Sequence, residues 1–303
     1  MISEVLDDII DKNRNLTVDE AYECMDDLVS GNYPDVVVSS FLTALRMKGE
    51  TIDEITGLTR SMKNHAVQID YKPEDYLIET CGTGGDTFKT FNVSTVASII
   101  ASAGGAKISK HGNRSVSSKF GGADALEALG VNIELSPEKV INSIDKCNFA
   151  FIFAPIYHVA TKNVMMIRKQ LKTRTVFNLL GPISCPTNVN ARLTGIYDPE
   201  LLETIAKVAM NLGVECGMIV HGFDENGNPA MDEISNIGKT KVAFIDNGDI
   251  TVKYITPEDF GLSFSKPEDI VAPETPQEHI QIIYNILNNV TTTSQDRARL
   301  DLC

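Results

Sequence analysis

No stretch of this chain is apolar for long enough to cross a bilayer: the longest, Phe149 to Ala160, spans twelve residues and carries Pro155. The start, MISEVLDDII, has no basic segment ahead of an apolar one, so no secretory signal is readable. Cysteines stand only at 24, 81, 147, 185, 216 and 303, too far apart for a CxxC motif or a zinc knuckle. They are expected as small core residues in a reducing, cytoplasmic setting. Internal repeats and low-complexity segments are also missing. So is any excess of positive charge: 27 Lys and Arg face 41 Asp and Glu, a net charge of −14 over 303 residues. A chain this acidic is not expected to bind a nucleic-acid backbone or an anionic membrane. What is present, 43% hydrophobic and 22% charged residues, excludes disorder for the bulk of it and fits one large domain or two modest ones.

The first 66 residues read as four short helices. Thr17-Val-Asp-Glu20 and Thr51-Ile-Asp-Glu54 are capping boxes, and Gly31 and Gly49 stand where helices should stop. Val37, Phe41, Leu42 and Leu45 fall at helical spacing, as do Ile55, Leu58 and Met62. From Tyr76 the pattern changes to short strands alternating with helices. Strands are expected at 77–80, 106–109, 149–154, 193–196, 218–221, 242–245 and 250–254, with helices at 93–103, 123–129 and 200–212. That alternation predicts an α/β fold, a small N-terminal helical domain followed by a larger domain with a mostly parallel sheet.

Acids are distributed unevenly. Residues 87 to 123 contain none but carry Lys89, Lys107, Lys110, Arg114 and Lys119. Residues 146 to 197 also contain none and carry seven basic side chains, Arg168, Arg174 and Arg192 among them. Core segments explain missing acids but not twelve cations in 89 residues. An electropositive pocket inside an acidic shell does, and it suits a small polyanion.

The motifs agree. Cys81-Gly-Thr-Gly-Gly-Asp86 follows a strand and precedes a helix starting at Asn92-Val-Ser-Thr95, so backbone can approach a ligand and a helix N-terminus can meet an anion. Asn92 and Ser94 are equally ordinary N-cap residues. Lys110-His-Gly-Asn-Arg114 follows another strand, with Ser115, Ser117 and Ser118 and then Gly121-Gly122 behind it. Met231-Asp-Glu-Ile-Ser235 offers adjacent carboxylates on a polar loop, a suitable Mg²⁺ donor pair, with Asp224-Glu225 as its rival.

In this order these motifs resemble the anthranilate phosphoribosyltransferase family over roughly residues 1–255. The family carries the same glycine turn, the Asn-x-Ser-Thr helix start, the Lys-His-Gly-Asn-Arg loop and the helix of Ala123 to Gly130. It also carries Phe151 to Pro155 with His158, Arg174 to Pro182, Val220 to Gly222 and the Asp232-Glu233 loop. The resemblance implies a nucleoside phosphorylase/phosphoribosyltransferase-like fold and transfer of a phosphoribosyl group from phosphoribosyl pyrophosphate to anthranilate, in tryptophan biosynthesis. It implies a homodimer using Mg²⁺, two ions per monomer. It divides the chain into a helical domain, 1–70, with 162–186 packing on it as a hinge, and a phosphoribosyl pyrophosphate-binding domain, 74–160 and 187–303.

Residue by residue, the resemblance gives phosphoribosyl pyrophosphate to Gly82, Gly85, Asp86 and Thr90, to Asn92, Val93, Ser94 and Thr95, and to Lys110, His111, Gly112, Asn113 and Arg114. Ser115, Val116, Ser117, Ser118 and Gly122 complete that set. Anthranilate falls to Gly82, Asn113 and Arg168, and metal to Ser94, Asp232 and Glu233. Lys110, Arg168 and His111 are the candidate catalytic residues, with Lys110 an electrostatic clamp. His158 and His221 are expected to be structural, and His65 and His279 to lie on helix surfaces. Four departures stand out: Gly122 replaces a serine, Met166-Ile167 precede Arg168 where Pro-Val is usual, the 223–231 loop is longer, and the chain stops at Cys303, which predicts a truncated C-terminus. Pyrimidine-nucleoside phosphorylases share the fold, with a different phosphate loop. That activity, and a non-catalytic relative binding nucleic acid or another partner, are the alternatives.

Overall fold

Each predicted capping box closes. Thr17 accepts from the Glu20 amide at 3.2 Å while its own amide donates to the Glu20 carboxylate at 2.9 Å. Thr51 and Glu54 repeat the exchange at 3.3 and 2.8 Å. The computed structural model describes residues 1–84, 87–114 and 120–303. These caps start α2 (Val18–Ser30) and α4 (Ile52–Asn64), which pack with α1 (Ile2–Lys12) and α3 (Asp35–Lys48). Gly31 ends α2 at φ 69°, a left-handed position where a side chain is strained. Glu54 does more than cap. Its fully buried carboxylate also accepts from the Leu16 amide at 2.8 Å and from Lys48 Nζ at 2.9 Å, so a buried charge is paired.

Among the described residues eight strands form one sheet: β1 (Leu77–Gly82), β2 (Lys107–Gly112), β3 (Phe149–Phe153), β4 (Ala191–Gly195), β5 (Cys216–Phe223), β6 (Pro229–Met231), β7 (Thr240–Asp246) and β8 (Asp249–Ile255). The order is β3-β2-β1-β4-β5-β7-β8, with β6 beside β5. The first five strands are parallel, and β6, β7 and β8 join antiparallel. All seven expected strands form. The short β6 was not foreseen, and Met231 therefore ends a strand instead of sitting in an open loop.

Between β1 and β2 runs α5 (Val93–Ala103); α6 (Gly122–Ala128) and α7 (Pro137–Cys147) join β2 to β3. After β3 come a single turn α8 (Ala154–Tyr157), then α9 (Lys162–Leu171) and α10 (Phe177–Ile183). Helix α9 packs on the bundle: Val164 and Ile167 share a core with Met25, Leu42 and Leu45, and Asn163 donates to the Val29 carbonyl at 3.0 Å. Helix α11 (Leu202–Asn211) shares that core. The short α12 (Pro267–Ile270), α13 (Pro276–Leu287) and α14 (Ser294–Leu302) pack around Phe91, Val96, Phe120 and Met231. His279 is buried there at 5% exposure, 5.0 Å from the Phe120 ring, and is not the surface residue expected. Cys147 is exposed, while Cys24 and Cys185 are buried and all six thiols are free. Among the described residues no helix is long and apolar enough to cross a membrane.

From β1 the chain moves outward through β2 to β3, then crosses back to β4 on the other flank of β1. Neighbouring parallel strands whose connections leave in opposite directions open a crevice beyond their carboxyl ends.

Candidate active site

The crevice opens where Gly82 and Gly195 end β1 and β4 as register partners. Both must be glycine for one reason. A Cβ on Gly195 would overlap the main-chain carbonyl of Asp232, and a Cβ on Gly82 would overlap the Asp232 carboxylate. With both side chains absent, the bend that follows β6 at Asp232 lies directly over the two strand ends. Its Asp232 carboxylate accepts from the Gly84 amide at 2.7 Å, and the Thr83 amide donates to the Gly195 carbonyl at 3.0 Å. The glycine turn is thus held from both sides.

A cleft of about 240 Å³ extends from this point. Gly82 and Gly84 line it, with Thr90 and Asn92 to Thr95 at the start of α5, Lys110 to Asn113 at the end of β2, Gly122, Asp232 and Glu233. Asn92 occupies the N-cap position without capping; its amide donates instead to the Phe120 carbonyl at 3.2 Å. In the first turn of α5 the Val93 and Thr95 amides donate to the Phe91 and Asn92 carbonyls at 2.7 and 3.2 Å, which leaves the Ser94 amide to meet an anion. Lys110 is 4% exposed, and its Nζ donates to the Thr80 carbonyl at 2.9 Å and the Ser94 hydroxyl at 3.1 Å. Burial lowers the pKa of Lys110 and raises that of Asp232. Both shifts follow from the loss of water around a charged group.

His111 is also 4% exposed, its ring 5.0 Å from that of His158. Burial, reinforced by His158, drives its pKa well below the usual histidine value, so the imidazole is neutral near pH 7 and a weak base. Beneath it lies a buried charge cluster. Arg192 Nη2 meets the Glu79 carboxylate at 2.6 Å, and His111 Nδ1 stands 3.9 Å from the same group. His158 is buried, its pKa lowered by burial to about 4, and His221 Nδ1 is tied to the Ile196 carbonyl at 2.7 Å.

Not every candidate reaches the cleft wall. Arg114 turns to Asp124, at 2.9 Å, and Glu127. Arg168, on α9, lies over the Phe177 ring at 5.0 Å and does not line the cleft. Gly85, Asp86, Ser115, Val116, Ser117 and Ser118 fall outside the described residues. The rival acid Asp224 is committed to the β5–β6 hairpin, accepting from the Asn226 and Asn228 amides at 2.9 and 2.7 Å. Sequence reasoning missed Cys81, Lys89, Phe91, Phe120 and Phe151 as lining residues, although Cys81 and Phe151 stand in its motifs and Lys89 in the acid-free window.

Asp232 and Glu233 bring two carboxylates into the cleft that Ser94 also lines. Among the described residues no group of three or more His, Cys, Asp or Glu could hold a metal ion. Two carboxylates instead fit a cation that completes its shell with water and substrate phosphates, as Mg²⁺ does.

Comparisons with known proteins agree with this architecture. Residues 74–301 match a glycosyl transferase family α/β-domain model, and residues 3–66 match that family's helical bundle domain. An anthranilate phosphoribosyltransferase from Methanothermobacter marburgensis is 45% identical over 98% of this chain and 85% of its own length. The Thermus thermophilus anthranilate phosphoribosyltransferase structure is similar at a TM-score of 0.85 and 35% identity, covering 97% of this chain and 85% of that one. The Saccharomyces cerevisiae anthranilate phosphoribosyltransferase in complex with PRPP and Mg gives 0.87 at 29% identity, over 99% of this chain and 85% of that one. The yeast protein in complex with 4-fluoroanthranilate gives 0.85 at 29% identity, over 99% and 84%.

Proposed function

This chain belongs to the anthranilate phosphoribosyltransferase family, and from that premise we infer how its cleft works. The enzyme transfers the phosphoribosyl group of 5-phosphoribosyl 1-pyrophosphate to the amine of anthranilate. The products are N-(5-phosphoribosyl)anthranilate and pyrophosphate, in L-tryptophan biosynthesis. The observation that carries the assignment of roles is the meeting of glycine turn, helix N-terminus, Lys110 and two carboxylates in one cleft at the strand switch point.

Phosphoribosyl pyrophosphate lies along the glycine turn, the first turn of α5 and the 110–118 segment. Displacement of pyrophosphate leaves an oxocarbenium-like sugar carbon, so the protein must stabilise the departing charge and hold the amine close. Lys110 and the Ser94 amide do the first. Ser94, Asp232 and Glu233 would hold Mg²⁺, two ions per monomer, which would supply charge neutralisation at the pyrophosphate. Asn113, on the cleft wall, and Arg168, which approaches from the bundle side without lining this cleft, orient anthranilate, the guanidinium matching its carboxylate. No strong base is required, since the amine sheds its proton readily once bonded. The working form is a cytoplasmic homodimer paired through the helical domain, a reading supported by exposed Val36 and Met47 on α3.

The test is anthranilate fluorescence on the purified 303-residue chain. Signal should fall only when phosphoribosyl pyrophosphate and Mg²⁺ are both present and should stop falling on chelation. A folded chain that leaves the signal unchanged overturns the assignment. Arg168→Ala should raise the anthranilate KM about 10- to 150-fold, the loss of one charged hydrogen-bonding group, and barely move the KM of the other substrate. Equal effects on the two would remove Arg168 from the acceptor site.

A further inference from the structure

We propose that Tyr197 is a positioning residue that couples the two substrates' binding, a role that rests on the transferase reading above. Its backbone belongs to the glycine turn. The Tyr197 amide donates to Thr83 Oγ1 at 2.9 Å, two residues beyond the Gly195 carbonyl that receives the Thr83 amide at 3.0 Å. The intervening Ile196 is fully buried and pinned at both ends: its amide donates to the Val220 carbonyl at 2.9 Å, and its carbonyl accepts from His221 at 2.7 Å. This segment cannot shift without moving the turn.

Its side chain belongs to the helical half. The Arg174 guanidinium stacks over the Tyr197 ring at 3.9 Å, a cation–π contact. Arg46, on α3, donates to the Tyr197 hydroxyl at 3.3 Å. Arg174 lies in the connection from α9 to α10, six residues after Arg168. One short side chain therefore joins the segment that carries the acceptor's arginine to the turn that carries the donor's pyrophosphate. Neither Tyr197 nor Arg174 lines the cleft, so each acts through its neighbours and not by touching substrate.

Such a link is read as a coupling ratio: the anthranilate dissociation constant without Mg²⁺-pyrophosphate divided by that with it. Pyrophosphate serves as the probe because it fills the donor end without permitting turnover. Wild type should give a ratio well above one. Tyr197→Leu should cut that ratio by about five-fold or more, with the anthranilate affinity of the unliganded protein kept within about two-fold of wild type. Tyr197→Phe, which keeps the ring, should retain most of it. Arg174→Gln, on a half-exposed side chain, should match the leucine variant and decides the matter should that variant fail to fold.

A wild-type ratio of one, or ratios in Tyr197→Leu and Arg174→Gln equal to wild type, overturns the proposal. A purely structural role would lower the melting temperature of these variants and leave the ratio alone. Turnover by the wild-type chain, measured separately, distinguishes failure of this coupling from failure of the transferase reading.

Discussion

Gly195→Ala should lower kcat/KM by about 100-fold or more, on the scale of a 1 Å displacement of reacting groups. The added methyl meets the main-chain carbonyl of Asp232, which cannot rotate away as a side-chain tip could. The 231–233 segment must lift, and the Asp232 carboxylate with it, loosening its 2.7 Å hydrogen bond to the Gly84 amide. Because that carboxylate is a proposed Mg²⁺ ligand, the variant should also need more Mg²⁺ to reach half its maximal rate. The overpacking itself costs about 1–3 kcal/mol, so the protein should still fold. A folded Gly195→Ala enzyme with normal rate and normal Mg²⁺ response would mean that contact at the switch point does not position Asp232.

Glu79→Ala should be the most destabilising single change in the sheet, by about 3–5 kcal/mol, because it leaves buried cations without their anion. Glu79 is fully buried against Arg192 at 2.6 Å, and Lys63 and Lys110 also act on it electrostatically. Burial raises the Glu79 pKa while these cations pull it back down, Arg192 most of all. Arg192→Met should cost less, since Glu79 keeps its other cations and the Pro182 carbonyl loses only one donor. Urea denaturation of the two variants, compared at equal slope, tests the order. Arg192→Met proving the more damaging would show that the arginine, and not the carboxylate, organises this cluster.

Much of the fold was legible because local signals and tertiary structure agree. Thr17 and Thr51 close the caps their spacing announces, and the β-rich runs expected from residues 77, 106, 149, 193, 218, 242 and 250 all become strands, with starts shifted by at most two residues. The failures share a cause, that burial is decided at a distance. Glu54 is the cap its spacing announces, but nothing near it says that Leu16 and Lys48 close over it. His279 read as a helix-surface residue, yet Phe120, 159 positions earlier, covers it. Strand β6, three residues long and beginning with proline, has too little sequence to show a pattern and exists because β5 offers it an edge.

The site was legible in composition more than in geometry. Glycines, Lys110 and the Asp232-Glu233 pair could be named from their motifs, but nothing local says that Gly82 and Gly195 are partners. That pairing needs the sheet order. Nor could sequence separate Asp232 from Asp224, which differ only in whether the surrounding chain folds back over the crevice or turns at a hairpin tip. Arg168 is easy to name from its motif, but its place over Phe177, outside the lining of the cleft, is set by how α9 packs and could not be read locally.

The hydrogen bond between Gly84 and Asp232 spans 148 positions. A nascent chain leaving a ribosome at about 5–20 residues per second exposes its glycine turn roughly 7 to 30 s before the covering carboxylate is even synthesised. Until then the crevice has a floor and no roof. Newly made protein therefore stays catalytically silent through most of its own translation, and acquires the reaction only once the antiparallel return of the sheet is complete.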